Sequence, residues 1–276
     1  MYTEFVGYGN TPAHATDGAN AQPGSGHLVQ FYEADPHSLT RNVSEYLHAG
    51  LQRGEGLIVI ACPERKDSFV IELNRLGCDP AAAARHGQIL FLDAQETLGE
   101  FMVNGQPEWR RFEDTITAAM RRVGAGKYPS RLRAYGEMVG VLWTAGRFSA
   151  AIRLEQFWND LLAAYGFNLF CGYPIDIFGE TFQVAHVNAL LCTHTHCLST
   201  GANGALEAAI QRSMDEVLGS QVASVRARMN ASWRDSWAAM PKGEGMILWL
   251  RNNVDNAGEI IGLARQHFSS PTTHIN

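Results

Sequence analysis

The chain has 276 residues, of which 46% are hydrophobic and 18% charged, so it can bury a large core in one main domain with a smaller appendage. A net charge of -6 with scattered Lys and Arg gives no electrostatic basis for binding nucleic acid directly. The sequence has no signal-peptide pattern and no apolar stretch long enough to span a membrane. Its five cysteines are typical of reduced thiols. We therefore expect a cytoplasmic protein with no membrane contact.

The first ordered unit is expected to begin at His27. Residues 1–26 are rich in Gly, Ala, Asn, Thr and Pro without periodicity, which predicts a disordered arm. The apolar run HLVQFY then predicts a strand, and an acidic turn, EADPHS, leads into an amphipathic helix that ends at the glycines of GLQRGEG. A second apolar run, LIVIA, completes a β-α-β pattern, in which ligands bind at the turn after the first strand.

The β-α pattern repeats along the middle of the chain. Apolar runs predict further strands, and the periodic segments between them predict helices. At least five strands alternate with helices in this way, so the predicted fold class is α/β with a mostly parallel, doubly wound sheet. The further strands are predicted at QILFLDA, RLRAYGEMV and FNLFCGYP.

The sequence changes character beyond Tyr173. A helix there leads to an irregular run, CTHTHC, and a linker signal, STGANG; residues 205–239 then predict one continuous helix, and a last helix begins at Met246. Acidic and basic residues balance from Gly201 onward, which argues against a DNA-reading tail. We therefore divide the chain into an arm over 1–26, an α/β domain over 27–198 and a helical extension over 199–276 for dimerisation or partner docking.

Seven blocks of sequence follow one another in a specific order: HLVQFYEAD, GLQRGEGLIVIACPE, LNRLGCDPAAAARHGQILFLDAQETLGEFMVNGQPEWRRFE, RAYGEMVGVLW, LEQFWNDL, LFCGYP and HVNALLCTHTH. In this order and spacing, over roughly residues 27–197, they resemble the MEDS domain, the methanogen/methylotroph DcmR sensory domain. The resemblance implies a sensory, ligand-binding module of the kind found in transcriptional regulators and beside histidine kinase or PAS-type signalling domains, responding to hydrocarbon derivatives. That domain is in turn similar to the KaiC/RecA-type ATPase core.

The turn after the first strand departs from such an ATPase core. A phosphate loop of the form GxxxxGK[ST] supplies backbone N–H groups and a lysine for the phosphates, and a hydroxyl for magnesium. This chain has FYEADPHS in that place, with two carboxylates, a proline and neither Gly nor Lys. The carboxylates of Glu33 and Asp35 would repel a triphosphate, so we expect no ATP hydrolysis, no catalytic residues and no cofactor.

Candidate ligand-binding residues lie at the carboxyl ends of two predicted strands. If the strands neighbour one another, their phenols and carboxylates line one pocket mouth, to which we assign a small-molecule effector. The alternative is structural: Asp35 caps the following helix, and Glu33 and Glu137 bind loop amides. The candidates are Tyr32, Glu33, Asp35, Tyr135, Glu137 and Trp143.

A second candidate is the CTHTHC run. Its thiols and imidazoles suit zinc or copper. However, neighbouring side chains of an extended or helical segment point apart, so the preferred interpretation is a buried segment whose histidines bond a carboxylate or a carbonyl, and no metal site is assigned. The alternative ligand set is Cys192, His194, His196 and Cys197.

A third set of residues is aromatic or contains sulfur and can line either an apolar effector pocket or an ordinary core. The set comprises Phe31, Met138, Trp143, Phe157, Trp158, Phe170, Cys171 and Tyr173.

Three functions are compatible with these patterns. The preferred one is a non-catalytic cytosolic sensor that binds a small apolar or hydrocarbon-derived effector at the strand ends and signals through its C-terminal helices to a kinase or regulator, as a homo-oligomer. The alternatives are a divergent nucleotide- or metal-dependent enzyme and a protein-interaction module without a ligand.

Overall fold

The computed structural model describes residues 26–124, 131–200, 204–236 and 240–269. Its centre is a six-stranded, all-parallel sheet with strand order β3-β2-β6-β7-β1-β8, and a separate antiparallel pair is formed by β4 and β5. The strands are β1 (His27–Phe31), β2 (Gly56–Ala61), β3 (Ile89–Asp93), β4 (Met102–Val103), β5 (Gln106–Pro107), β6 (Leu132–Gly136), β7 (Asn168–Tyr173) and β8 (His196–Leu198).

Helices cover both faces of this sheet, as a parallel sheet requires. Within the α/β part they are α1 (Pro36–Gln52), α2 (Pro63–Arg75), α3 (Pro80–Arg85), α4 (Ala94–Phe101), α5 (Trp109–Arg122), α6 (Met138–Thr144), α7 (Phe148–Tyr165) and α8 (Val184–Leu191). The chain ends in α9 (Ala205–Leu218), α10 (Val222–Ser236), α11 (Lys242–Asn253) and α12 (Ala257–Ser269). None of the described helices has the length and apolarity needed to cross a membrane. The predicted α/β class with C-terminal helices is therefore confirmed.

Successive side chains along each strand point to opposite faces of the sheet, and each face has its own hydrophobic core. Leu28, Val59 and Phe170 point to the face covered by α1 and α2 and join Leu39 and Leu47 there. The next residues along each strand point to the other face, where they pack with α4, α5, α6 and α7 and, beyond them, with the C-terminal helices. A residue's position along its strand therefore decides which of the two cores it joins.

One strand of the sheet was not predicted from the sequence. All five predicted strands are present, but His196–Leu198, placed in the irregular run, pair with Leu28–Gln30 as β8. A strand of three residues with an exposed first residue is too short to show an apolar alternation.

The predicted continuous helix over 205–239 is wrong within the described residues, because α9 ends at Gly219, which has φ of 51°, and a 3-10 turn separates it from α10. A left-handed φ of this kind favours glycine and interrupts a helix. The predicted last helix is likewise two helices, α11 and α12. The division at 198/199 stays a prediction, and nearly all of the predicted arm, residues 1–25, lies outside the described residues.

Candidate functional site

A cluster of polar side chains lies where β1, β2 and β6 end. Glu137 directly follows β6, and its amide donates to the carbonyl of Ile60 at 2.9 Å, which extends the strand pairing. Its carboxylate accepts from the Tyr32 hydroxyl at 3.2 Å and from the amide of Cys62 at 2.9 Å. Cys62 is the residue before α2, so this buried carboxylate lies at the positive end of a helix dipole.

Arg65, from the first turn of α2, closes the cluster. Its Nε lies 3.4 Å from a Glu137 oxygen, and its guanidinium stacks over the Tyr32 ring with 4.5 Å between Cζ and the ring centroid. The Arg65 side chain is 19% exposed and that of Glu137 is 6% exposed. The arginine is therefore the group that stands between the buried carboxylate and solvent.

The two strands that carry Tyr32 and Tyr135 are not neighbours. Strand β7 lies between β1 and β6, and the two phenols meet across it at Gly172. A Cβ atom at Gly172 would lie 2.8 Å from the Tyr135 hydroxyl oxygen and 3.4 Å from Cε1 of Tyr32. The missing side chain on the intervening strand is what lets Tyr32 reach Glu137.

We expect Gly172→Ala to destabilise the protein by about 1 to 3 kcal/mol, because the added methyl group must displace a fully buried tyrosine ring. Gly136→Ala is the matched control, since a Cβ on that strand glycine meets its nearest neighbours at 3.9 and 4.0 Å. Urea unfolding of both variants measures the difference. Equal stability of the two would show that the contact at Gly172 relaxes without cost.

The cluster holds neutral donors beside one carboxylate. Burial, followed by the charge of Glu137, raises the pKa of both Tyr32 and Tyr135 above the usual range of a phenol. The same two causes raise the pKa of Cys62 to about 11. These groups stay protonated at neutral pH and can donate hydrogen bonds. The Tyr135 hydroxyl is buried and has no hydrogen-bond partner among the described residues, so its hydrogen-bonding capacity is unused there.

The other predicted ligand residues lie elsewhere. Glu33 is exposed, and Asp35 caps α1 by accepting from the amide of Ser38 at 3.2 Å. Trp143 packs on the opposite face of the sheet against Tyr173, with 5.6 Å between ring centroids. The structure therefore brings together Tyr32, Tyr135 and Glu137 of the predicted set. It adds Arg65 and Cys62, whose only sequence signal is their position at the start of the helix after β2.

The aromatic and sulfur set is divided between the two cores. Phe170 packs on the α1 face. The other members pack on the α7 face, fully or partly buried: Phe31, Met138, Trp143, Phe157, Trp158, Cys171 and Tyr173. Phe170 therefore cannot share one pocket wall with the other seven.

The CTHTHC run does not gather its own side chains. Cys192 and His196 are exposed, whereas the His194 side chain is only 1% exposed and points into the core on the side of the sheet that α7 covers. There His194 meets His27 of β1, Glu155 of α7 and Cys171 of β7, and one potential ligand atom from each lies within 4.8 Å of the others. We call these four residues the buried His/Glu/Cys cluster.

Glu155 stands at the centre of this cluster. Its Oε2 lies 3.2 Å from Nε2 of His27, and its Oε1 lies 3.3 Å from Nε2 of His194. Oε1 also accepts from the Tyr173 hydroxyl at 2.6 Å. Burial acts to raise the pKa of Glu155, but His194 and His27 outweigh it and hold this pKa below its usual range. Sequence reasoning missed Glu155 as a site residue, although it is a carboxylate within the apolar face of α7.

The other ring nitrogen of each histidine is already engaged. Nδ1 of His27 lies 2.9 Å from Oδ1 of Asn159, whose Nδ2 donates to the Thr193 carbonyl at 2.9 Å and so fixes the orientation of the amide. Nδ1 of His194 lies 2.7 Å from the Leu190 carbonyl oxygen. Both partners are acceptors, so both histidines carry a proton on Nδ1 and direct Nε2 towards Glu155.

The family model for MEDS, the MEthanogen/methylotroph, DcmR Sensory domain, matches residues 26–195, which is more than half of the chain. No curated protein matches the sequence. The matched range contains the polar cluster at the ends of β1, β2 and β6 and all four residues of the buried His/Glu/Cys cluster. The chain therefore belongs to the MEDS family of sensory domains.

Proposed function

We propose that the protein is a non-catalytic sensor that binds a small effector at the carboxyl ends of its parallel strands and passes the bound state to its C-terminal helices. The observation that carries this proposal is the buried hydroxyl of Tyr135, which has no hydrogen-bond partner in the part of the chain that the structure describes and lies beside the polar cluster of Tyr32, Arg65 and Glu137. A sensory role is what the family description itself indicates.

The chemistry of the cluster suits an effector with a small apolar body and one polar group. The ring of Tyr135 packs edge-on against Phe69 and Phe170, with centroid distances of 5.0 and 6.0 Å, so aromatic rings lie beside the polar groups of the cluster. Arg65 is the most exposed member of its ion pair with Glu137. Displacement of Arg65 from the Tyr32 ring would admit the effector and expose Glu137 to it.

The proposal that the protein does not hydrolyse ATP draws on the start of α1. In a phosphate-binding protein the free amides at this helix N-terminus would hold the ligand. Here the Asp35 carboxylate accepts from one of them, and Pro36 removes another. A negative side chain already occupies the place of a phosphate, so nucleotide chemistry has no support there.

Polar contacts join the C-terminal helices to the same edge of the sheet. The Thr200 hydroxyl donates to the Phe31 carbonyl at 3.0 Å, and the Thr200 amide donates to Glu244 of α11 at 2.6 Å. Phe31 directly precedes Tyr32, so the candidate effector site and this connection share one end of β1. Arg251 of α11 also donates to the carbonyl of Phe178, beyond β7, at 2.9 Å.

We expect Glu244→Gln to gain stability relative to the wild type as the pH rises above about 4.5. Burial raises the pKa of Glu244, with nearby Glu207 adding to the effect against the hydrogen bonds from Thr200. A carboxyl group with a raised pKa contributes stability below its unfolded pKa and loses it as the pH rises through its folded pKa, whereas glutamine does not titrate.

Urea unfolding between pH 4 and 8 measures this difference. Glu259→Gln, at an exposed position of α12, is the control and should follow the wild-type pH profile. A constant offset between Glu244→Gln and the wild type would show that Glu244 does not titrate abnormally.

A thermal-shift screen tests the effector site. The probes are short-chain alcohols and carboxylates, halogenated methanes, and ATP with magnesium, each applied to the wild type, Tyr135→Phe and Glu137→Gln. A compound at 100 times its Kd stabilises the fold by about 2.7 kcal/mol, and both variants should reduce that shift while Tyr165→Phe retains it. Shifts that survive both variants would place the ligand elsewhere, and ATP hydrolysis would contradict the sensor.

Hydrogen exchange tests the signalling step. A compound that passes the screen should change exchange in residues 204–236 and 240–269, because those helices are the proposed output. Measuring the molecular mass in solution with and without the compound then tests the proposed homo-oligomer. The C-terminal helices are also the proposed contact with a kinase or regulator. Protection confined to the strand ends would leave the protein a ligand-binding module without this output.

A further inference from the structure

We propose that His27, Glu155, Cys171 and His194 bind one divalent transition-metal ion, with zinc the best match to the donor set. The site lies on the α7 face of the sheet, opposite the face on which Tyr32 and Tyr135 pack. It is independent of the effector proposal, and either can fail without the other.

The spacing of the ligand atoms fits a tetrahedral ion. Zinc bonds of about 2.0 Å to nitrogen or oxygen and about 2.3 Å to sulfur place such ligand atoms roughly 3.3 to 3.7 Å apart. Nε2 of His27 lies 3.2 Å from Oε2 of Glu155 and 3.4 Å from Sγ of Cys171, and that Sγ lies 3.6 Å from the same Oε2. Nε2 of His194 lies within 4.8 Å of the other ligand atoms, so small side-chain rotations complete the set.

Hydrogen bonds orient both histidine rings for metal binding. The acceptors at both Nδ1 atoms leave Nε2 as the free coordinating nitrogen, the arrangement in which metal-binding histidines are usually held. Nε2 of His194 is buried and lies near Glu155, yet it makes no hydrogen bond among the described residues. A buried nitrogen aimed at a carboxylate without a hydrogen bond is the second observation that points to an ion between them.

The charges of the four side chains and a divalent ion sum to zero. A divalent ion is neutralised by the Glu155 carboxylate and by the Cys171 thiolate, which forms as the thiol releases its proton to solvent on binding. Oε1 of Glu155 keeps the Tyr173 hydroxyl as its donor at 2.6 Å and leaves Oε2 for the ion. Two nitrogens, one oxygen and one sulfur are borderline ligands that suit zinc better than magnesium or calcium.

Four protein ligands in a buried setting make a closed, structural site. The ligands come from β1, α7, β7 and the segment before β8, so the ion would fasten the short strand β8 to the centre of the sheet. His194 is the contribution of the CTHTHC run. Of the other potential ligands in the run, Cys197 is partly buried, whereas Cys192 and His196 are exposed and serve as controls.

Cobalt titration of the chelator-treated full chain tests the proposal. Binding of one cobalt ion per chain should produce the strong visible bands of tetrahedral cobalt and a near-ultraviolet sulfur-to-cobalt charge-transfer band, and zinc should displace both. Zinc should also raise the melting temperature. Absence of saturable binding, or an octahedral cobalt spectrum, would overturn the site.

Matched variants identify the ligands. Cys171→Ser should lose the charge-transfer band, whereas Cys192→Ser should keep it; His194→Gln should lose affinity, whereas His196→Gln should not. Asn159→Ala, which removes the partner of His27, should weaken binding by about 10- to 100-fold. Circular dichroism checks folding, and the wild-type and Cys192→Ser spectra decide the question even if a ligand variant fails to fold. Loss of the sulfur band in Cys192→Ser would assign the metal to the linear run instead.

Discussion

Replacing Glu155 with alanine is expected to destabilise the metal-free protein by about 3 to 5 kcal/mol. The substitution leaves the Tyr173 hydroxyl without its acceptor and removes the carboxylate that faces Nε2 of His27 and of His194, and all of these side chains are buried. An unpaired buried charge or donor costs far more than the net value of the bond it loses. Urea unfolding in the presence of chelator measures the loss.

Asp160→Ala is the control for this experiment, because Asp160 lies on the same helix α7 and is exposed. Its cost should stay within about 0.5 kcal/mol. A cost of the same small size for Glu155→Ala would mean that water reaches the cluster and solvates the groups left behind.

Arg133→Ala is expected to cost a similar amount, about 3 to 5 kcal/mol, at the amino end of β6. The Arg133 side chain is 4% exposed and pairs with Glu55. It also donates to the Tyr46 carbonyl at 3.1 Å, and its Cζ lies 4.8 Å from the centroid of the Tyr46 ring. Truncation leaves the Glu55 carboxylate without its partner in a largely buried place and removes the packing of the arginine stem.

Arg131→Ala provides the comparison, since Arg131 is exposed just before the same strand. Denaturant unfolding of both variants, and of Glu55→Ala with and without Arg133→Ala, gives the pairwise coupling. If Glu55→Ala and Arg133→Ala were strictly additive, the ion pair would contribute nothing and the loss would be one of packing alone.

The strands that the sequence predicts are those with strong local patterns. LIVIA and FNLFCGYP are apolar throughout because helices cover both faces of the sheet, and this composition identifies them without tertiary information. Strand β8 carries no such signal, since three residues at the edge of the sheet take their conformation from pairing with β1. The break at Gly219 was equally hard to predict, because an isolated glycine is tolerated within many helices.

The candidate sites show the same limit. Tyr32, Tyr135 and Glu137 were predictable as strand-end residues, because carboxyl ends of parallel strands share one edge. That they meet across β7 depends on Gly172, which only the strand order reveals. The buried His/Glu/Cys cluster draws on four distant segments, and the sequence offered only the linear neighbours of His194.

The position of β1 in the sheet has a consequence for synthesis on the ribosome. Both of its partners, β7 and β8, come late in the chain: Gly26 bonds Asn168 across 142 residues, and His27 bonds Thr195 across 168. At about 5 to 20 residues per second, the first apolar strand emerges and waits roughly 7 to 28 seconds for its nearer neighbour. The nascent chain therefore carries an unpaired, aggregation-prone segment for about half of its translation, and recovery of folded protein should rise when chaperones that bind extended apolar segments are abundant.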